Sequence, residues 1–247
     1  HCLSSAASDV YKRQVEATLY QQSIEDLILL VDEAPSSGAS NSWQNGGEME
    51  TNGLEFALGL NPTSLLDLGG LDWNMHMTYY TNESEVTKLT VDPYNYGGFA
   101  TFLGTYRIEE GVSPTAIVGA DYDADGNHIE LGNENPDFRL SFRNSLSFGP
   151  LSLSFLIDHK EGGHAINLAN LIYDLGATTA DYEENGSRTA VLGGGSTAPY
   201  VESTTYTALR DLSLTYLLPA GLTEGYGLSN VQPVSYTHLT LPTTSSV

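Results

Sequence analysis

The strongest constraint on the fold is the stretch Phe138-Arg-Leu-Ser-Phe-Arg-Asn-Ser-Leu-Ser-Phe148, Gly149-Pro150, Leu151-Ser-Leu-Ser-Phe-Leu-Ile157. Phe138, Leu140, Phe142, Leu146 and Phe148 fall on one parity; Arg139, Ser141, Arg143, Ser145 and Ser147 fall on the other. Side chains of a strand alternate between its two faces, so the run has one apolar and one polar face. Leu151, Leu153, Phe155 and Ile157 repeat the pattern after a break that leaves room only for a tight turn. The expectation is an antiparallel hairpin with about ten residues per arm, the length a tilted strand needs to cross a bilayer. What meets the apolar face, protein core or lipid, then decides the class of protein.

The same alternation recurs elsewhere. Val15, Ala17 and Leu19 alternate with Glu16, Thr18 and Tyr20 and lead into the apolar 26–31 run. Leu54, Phe56, Leu58 and Leu60 alternate with Glu55, Ala57 and Gly59. Leu71, Trp73, Met75, Met77 and Tyr79 alternate with Asp72, Asn74, His76 and Thr78. Leu212, Leu214, Tyr216 and Leu218 alternate with Asp211, Ser213 and Thr215. Helical spacing fits none of these runs. It does fit 165–175, where apolar residues at 165, 168, 169, 172 and 175 form a helical stripe and predict one short helix.

Connection lengths alternate as well. Segments 61–70, 149–150 and 219–227 are short and rich in turn residues, whereas 32–47, 81–136 and 160–205 are long and polar. Outer-membrane barrels place short turns at the periplasmic rim and long loops outside. A soluble sandwich has no reason for that segregation, and loops this long are out of place in a compact soluble domain. The fold class predicted is all-β: a partial transmembrane antiparallel barrel wall of about eight to ten strands, with long outer loops and one loop helix.

Composition excludes several classes. With 9 basic against 31 acidic residues the formal charge is −22, the wrong sign for a nucleic-acid partner. No apolar run approaches the roughly 18 residues of a membrane-spanning helix. The two ends, 1–14 and 234–247, depart from the strand pattern and resemble translated sequencing-adapter read-through. They are expected to be foreign to a domain spanning 15–233. The single cysteine, Cys2, lies in the first of them, so the domain offers no thiol chemistry and no disulfide.

Several stretches in order resemble the barrel of TonB-dependent outer-membrane receptors, in particular the SusC/RagA-like branch. They are 23–29, Asn45-Gly-Gly-Glu-Met-Glu-Thr-Asn-Gly-Leu-Glu-Phe56, Gly132-Asn-Glu-Asn-Pro-Asp-Phe138, Gly162-Gly-His-Ala-Ile-Asn-Leu168 and Leu209-Arg-Asp-Leu-Ser-Leu-Thr-Tyr-Leu-Leu-Pro219. The first part of 45–56 departs from the family's Asn-x-Gly spacing. The resemblance implies an outer-membrane location and import of large solutes, glycans or peptides. It implies as partners the TonB complex, acting through a plug region and TonB box not found in these residues, and a SusD-like lipoprotein. Complete barrels of this type have roughly 22 strands, so a fragment is expected. Glu55, Asp72, His76, Arg139, Arg143 and Asp211 would then line the lumen or meet a plug.

Catalytic spacing is absent, and no enzyme is expected. Asp121, Asp123 and Asp125 open an Asp-x-Asp-x-Asp-Gly run that matches the start of a calcium loop, but its twelfth position is Gly132 rather than a bidentate glutamate. Calcium is the one cofactor this suggests, beside the reading of a solvated acidic turn. His159 and His164 are five apart, not the four that place two histidines on one helix face for zinc. The alternative to a transporter fragment is a secreted β-rich carbohydrate-binding or adhesion module, its apolar parity filling a sandwich core.

Overall fold

The computed structural model describes residues 3–9, 13–98, 100–184, 186, 188 and 195–237. The strands are β1 (Leu3–Asp9), β2 (Arg13–Asp32), β3 (Asn41–Leu60), β4 (Leu71–Leu89), β5 (Tyr94–Tyr96), β6 (Thr105–Ile108), β7 (Ala116–Val118), β8 (Gly132–Asn133), β9 (Pro136–Phe148), β10 (Leu151–Gly162), β11 (His164–Ile166), β12 (Val201–Ser203), β13 (Tyr206–Tyr216) and β14 (Val234–Thr237). Eight of them form one sheet in the order β1-β2-β3-β4-β9-β10-β13-β14, antiparallel throughout. The sheet is open, with β1 and β14 as its edges. Strands β5 to β8 and the pair β11-β12 make two small sheets of their own within the long connections.

Register carries the parity rule across the wall. Val15 pairs Leu58, Leu58 pairs Met77, Met77 pairs Phe142, Phe142 pairs Ile157 and Ile157 pairs Leu209. Directly opposed residues share a face, so this row is one apolar band across six strands. The next rows repeat it, for example Trp73, Leu146, Leu153 and Leu214. A bulge in the β10-β13 pairing keeps Leu209 and Leu212 on the same face although their numbers differ in parity. The sandwich alternative needed Phe138, Phe142, Phe155 and Trp73 as a shared core between two sheets. All four instead lie on one face of one sheet, and none is fully buried.

Asn144 interrupts this face. It pairs Met75 and Phe155, is 2% exposed, and accepts a hydrogen bond from the Trp73 indole at 3.1 Å. An indole N–H and an amide are each costly in hydrocarbon, and pairing them offsets part of that cost.

The turn at Gly149-Pro150 is as short as expected. Phe148 pairs Leu151 directly, and Gly149 takes the positive φ of 55° that such a two-residue hairpin turn requires. Segments 61–70 and 217–233 lie at the same rim, while 33–40 and the described residues of 90–131 and 167–200 lie at the other.

Two expectations about the connections need correcting. The 32–47 segment is not a long loop: β2 and β3 are 20 residues each and continue to a short tip, closed by Glu33 N donating to Ser40 O at 2.9 Å. Strand β4 likewise runs to Leu89. The β3 and β4 extensions are too polar to show alternation, and in β2 the unbroken apolar run 26–31 carries no period either. The helix, α1 (Leu168–Leu175), starts later than 165, since Asn167 caps it by accepting from Asn170 N, and it turns a different face inward. Leu171 and Asp174 are buried, whereas Ile172 and Leu175 are 50% and 52% exposed.

The densest packing lies outside the wall. Ile108, Ala116, Ile117, Val118, Leu171 and Tyr200, all from the outer connections, are buried together with Val86 at the top of β4. The two long connections therefore fold as packed structure rather than as free loops. Gly104 marks one seam between them, with φ +92° and the Ile166 side chain where a Cβ would stand. Gly104→Val should cost the outer structure about 1–3 kcal/mol through strain alone. Limited proteolysis on whole cells should show new cleavage in 100–130 for this variant. Gly221→Ala, which meets open space, should behave as the parent does.

Both flanking segments are drawn into the sheet: β1 pairs β2 from Leu3↔Leu19 to Asp9↔Arg13, and β14 pairs β13. An unpaired edge accepts any extended chain, so pairing there says little about origin. Residues 1–2, 10–12 and 238–247, with Cys2 among them, lie outside the described residues.

Candidate functional site

The polar face of the wall is the surface on which a solute or a plug would act. One row crosses six strands in direct register: Thr18, Glu55, Tyr80, Arg139, Lys160 and Tyr206. The row below contains Thr78 and Ser141, whose hydroxyls are 2.8 Å apart, and Asp158 beside them. His76, Arg143, Leu156 and Asp211 make a further row, and Asp72 pairs Ser147 near the turn rim. All six residues expected on the polar face are therefore on it, but they occupy different heights and do not form one cluster.

The cluster that does form lies higher, around Asp158. Its Oδ2 accepts from Tyr206 Oη at 2.8 Å, Arg210 Nε at 3.1 Å and Arg139 Nη2 at 3.5 Å. Tyr206 Oη in turn accepts from Arg139 Nη2 at 2.9 Å and Arg210 Nη2 at 3.0 Å, while the Arg210 guanidinium lies 5.1 Å from the Tyr206 ring centroid. Lys160 Nζ donates to Thr204 Oγ1 at 2.6 Å on the same rim. Of this group the polar parity of β9 reveals only Arg139. Extending β10 by two steps past Leu156 would have found Asp158 and Lys160. Arg210 could not be found by parity, because it falls in the bulge.

The acidic loop is arranged differently from a calcium site. Asp121 takes Ser196 Oγ at 2.6 Å on one oxygen, and Thr197 N at 2.8 Å and Ala198 N at 3.2 Å on the other. Asp123 takes Asp125 N, Asn127 N and Asn127 Nδ2, and these bonds, the Asn127 side chain first, hold its carboxyl below the usual range. Asp125 is exposed. Among the described residues no three His, Cys, Asp or Glu converge as a metal set. An ion here would have to displace the hydrogen bonds that tie Asp121 to 196–198. His159 bonds Thr207 and Glu161, away from His164 on β11.

Asp174 anchors the outer structure. It is fully buried, and accepts from Arg188 Nε at 3.0 Å, Tyr200 Oη at 3.0 Å and the Thr179 hydroxyl. The Arg188 hydrogen bond, more than the others, holds its carboxyl down at about 2. Burial first, then Asp174, pushes the Tyr200 phenol up to about 12. The Tyr106 phenol is likewise pushed up to about 12, chiefly by donating to Glu134 at 2.6 Å.

An open antiparallel wall with an apolar band on one face, tight turns at one rim and packed loops at the other defines a piece of an outer-membrane β-barrel. Residues 9–232 match the family model "TonB dependent receptor-like, beta-barrel", and the chain belongs to that family. It is 24% identical to TonB-dependent receptor P3 of Formosa agariphila over 265 residues, which is 86% of this chain and 26% of that protein. In fold it is similar to a chain of the RagAB peptide transporter, with 18% identity and a TM-score of 0.66 over 95% of this chain and 30% of that one. The RagAB peptide importer in its closed-closed state gives 19% and 0.58 over 91% and 29%. The SusC/RagA-like resemblance seen in the sequence accords with this fold, and the location is the outer membrane. The chain spans about a quarter of the curated relative it matches and under a third of the solved chains.

Proposed function

We propose that this wall belongs to a transporter that imports large solutes, glycans or peptides, across the outer membrane with energy from TonB and a SusD-like lipoprotein as its outer partner. The observation that carries the reading is the register: one apolar band six strands wide, backed by a polar face with matched rows. A polar wall of that width suits a wide lumen rather than a packed small barrel. The likeness in fold to the RagAB peptide transporter supports the peptide side of this reading. The family match runs from 9 to 232, so it takes in 9–14 of the first segment expected to be foreign and stops before 234–247.

The test is growth of a host carrying the complete receptor, obtained by extending the reading frame, on glycan or peptide as sole carbon source. Uptake should require both the receptor and TonB. Uptake that persists at the same rate after TonB is deleted would refute the transporter reading.

A further inference from the structure

We propose that Arg139, Arg210 and Tyr206, with Lys160 beside them, form an anion subsite at the outer mouth of the lumen, taking a carboxylate or sulfate group of the solute. This rests on the importer reading and names the chemistry of what is imported. Three of the nine basic residues in a chain of charge −22 are gathered here. Among the described residues Asp158 alone of the carboxylates contacts both guanidiniums, and one carboxylate does not neutralise two. Each guanidinium has five N–H donors and spends few of them on Asp158 and Tyr206. Asp158 is 15% exposed in its side chain, while Arg139 and Arg210 are 38% and 41% exposed. The carboxylate is thus the hidden scaffold, and the cations face the lumen. Asp137, exposed beside Gly162, is a further carboxylate at this rim, and Glu55 stands two strands from Arg139 in the same row; among the described residues neither makes an ion pair with Arg139 or Arg210.

Height favours a solute over the plug. Arg139 is nine residues from Phe148 at the short turn. At ~3.3 Å per residue and ~40° tilt this is roughly 23 Å, the full height of an apolar band of about 25 Å. Strand β10 ends two residues after Lys160, where the outer structure begins. A solute arriving from outside meets this group early. Two planar forks held by one tyrosine suit the flat, two-oxygen edge of a carboxylate or sulfate, and such charge-assisted pairs are the stronger hydrogen bonds.

The test uses the complete receptor purified in detergent, titrated with hexagalacturonate, a glutamate-rich hexapeptide and neutral maltohexaose. At least one acidic probe should bind more tightly than maltohexaose, and more weakly as salt rises. Which acidic probe binds tells a glycan source of the anion from a peptide source. Arg139→Gln with Arg210→Gln should weaken that binding at least tenfold. Tyr206→Phe, which keeps the ring, should weaken it less, and Lys88→Gln, a cation outside the group, should leave it unchanged. The proposal is overturned if neither acidic probe outbinds maltohexaose, or if the double variant binds as the parent does. It is also overturned if the double variant loses binding of maltohexaose and of the acidic probes alike, which would mark the group as a plug anchor. Binding is read without TonB, so it fails or stands independently of the importer reading.

Discussion

Arginine in place of Phe142 or Met75 should destabilise the complete barrel by about 2–4 kcal/mol, the cost of a basic side chain near the middle of the lipid-facing surface. Phe142 is opposed by Met77 on one side and Ile157 on the other, and Met75 by Leu60 and Asn144. Met77, Ile157 and Leu60 offer no acceptor able to hold a guanidinium, and the Asn144 amide oxygen already takes the Trp73 indole N–H. Ser141 and Asn74 sit one step along the same strands on the polar face. Ser141→Arg gives up the contact with the Thr78 hydroxyl, worth about 1 kcal/mol, and places its charge in a wet lumen. Urea unfolding of the four variants in liposomes separates the two faces. Equal costs at both parities would mean that the apolar band does not meet lipid.

That contrast is available because the wall was legible from the sequence, and for a definite reason. Where one face meets lipid and the other water, strand period and hydrophobic period coincide, and parity fixes face assignment for every residue at once. Val15, Phe56, Met77, Phe142 and Ile157 could be assigned without knowing which strands pair. Legibility ended where the contrast ended. The upper part of β3 is polar on both faces, so 41–47 read as loop although it is strand. Bulges broke it locally: β2 has register shifts between Ile24 and Ile28, with Asp26 at φ 56°, and the β10-β13 shift hides Arg210.

The candidate site was only partly legible for the same reason. Parity supplied Arg139 and the face it occupies, but not its company. Asp158, Tyr206 and Arg210 come together through the pairing of β10 with both β9 and β13, and one of them through a bulge. Pairing partners are long-range facts that periodicity does not contain. The outer structure was the least legible part. Its core depends on Ile117, Leu171 and Tyr200, which lie in segments with no sustained period. The apolar stripe on α1 does not mark its buried face, because a carboxylate, Asp174, sits there beside Leu171.

That carboxylate carries the other large expected effect. Asp174→Ala should cost the outer structure about 2–4 kcal/mol, since it removes the buried acceptor shared by Arg188, which is 28% exposed, and the fully buried Tyr200. Arg188 would lose both of its bonds to Asp174, and Tyr200, itself fully buried, would lose the acceptor of its hydroxyl. Asp174→Asn keeps an oxygen for Tyr200 but not the charge for Arg188, and should fall between the variant and the parent. The pH dependence follows from the direction of the shift. A carboxyl held at about 2, below its ordinary 3.8, contributes stability that is complete above pH 4 to 5 and is lost as pH falls through 2. Tyr200, raised from 10 to about 12, contributes stability that is complete below pH 10 and lost as pH rises through 12. Between these windows the parent should be insensitive to pH at this locus. Hydrogen exchange of 168–184 in the complete receptor gives the readout. The parent should hold its protection at pH 7 and lose it between pH 4 and 2, while Asp174→Ala should be unprotected at pH 7 with little further change on acidification. Full protection in the alanine variant at pH 7 would show that Asp174 does not hold the outer structure together.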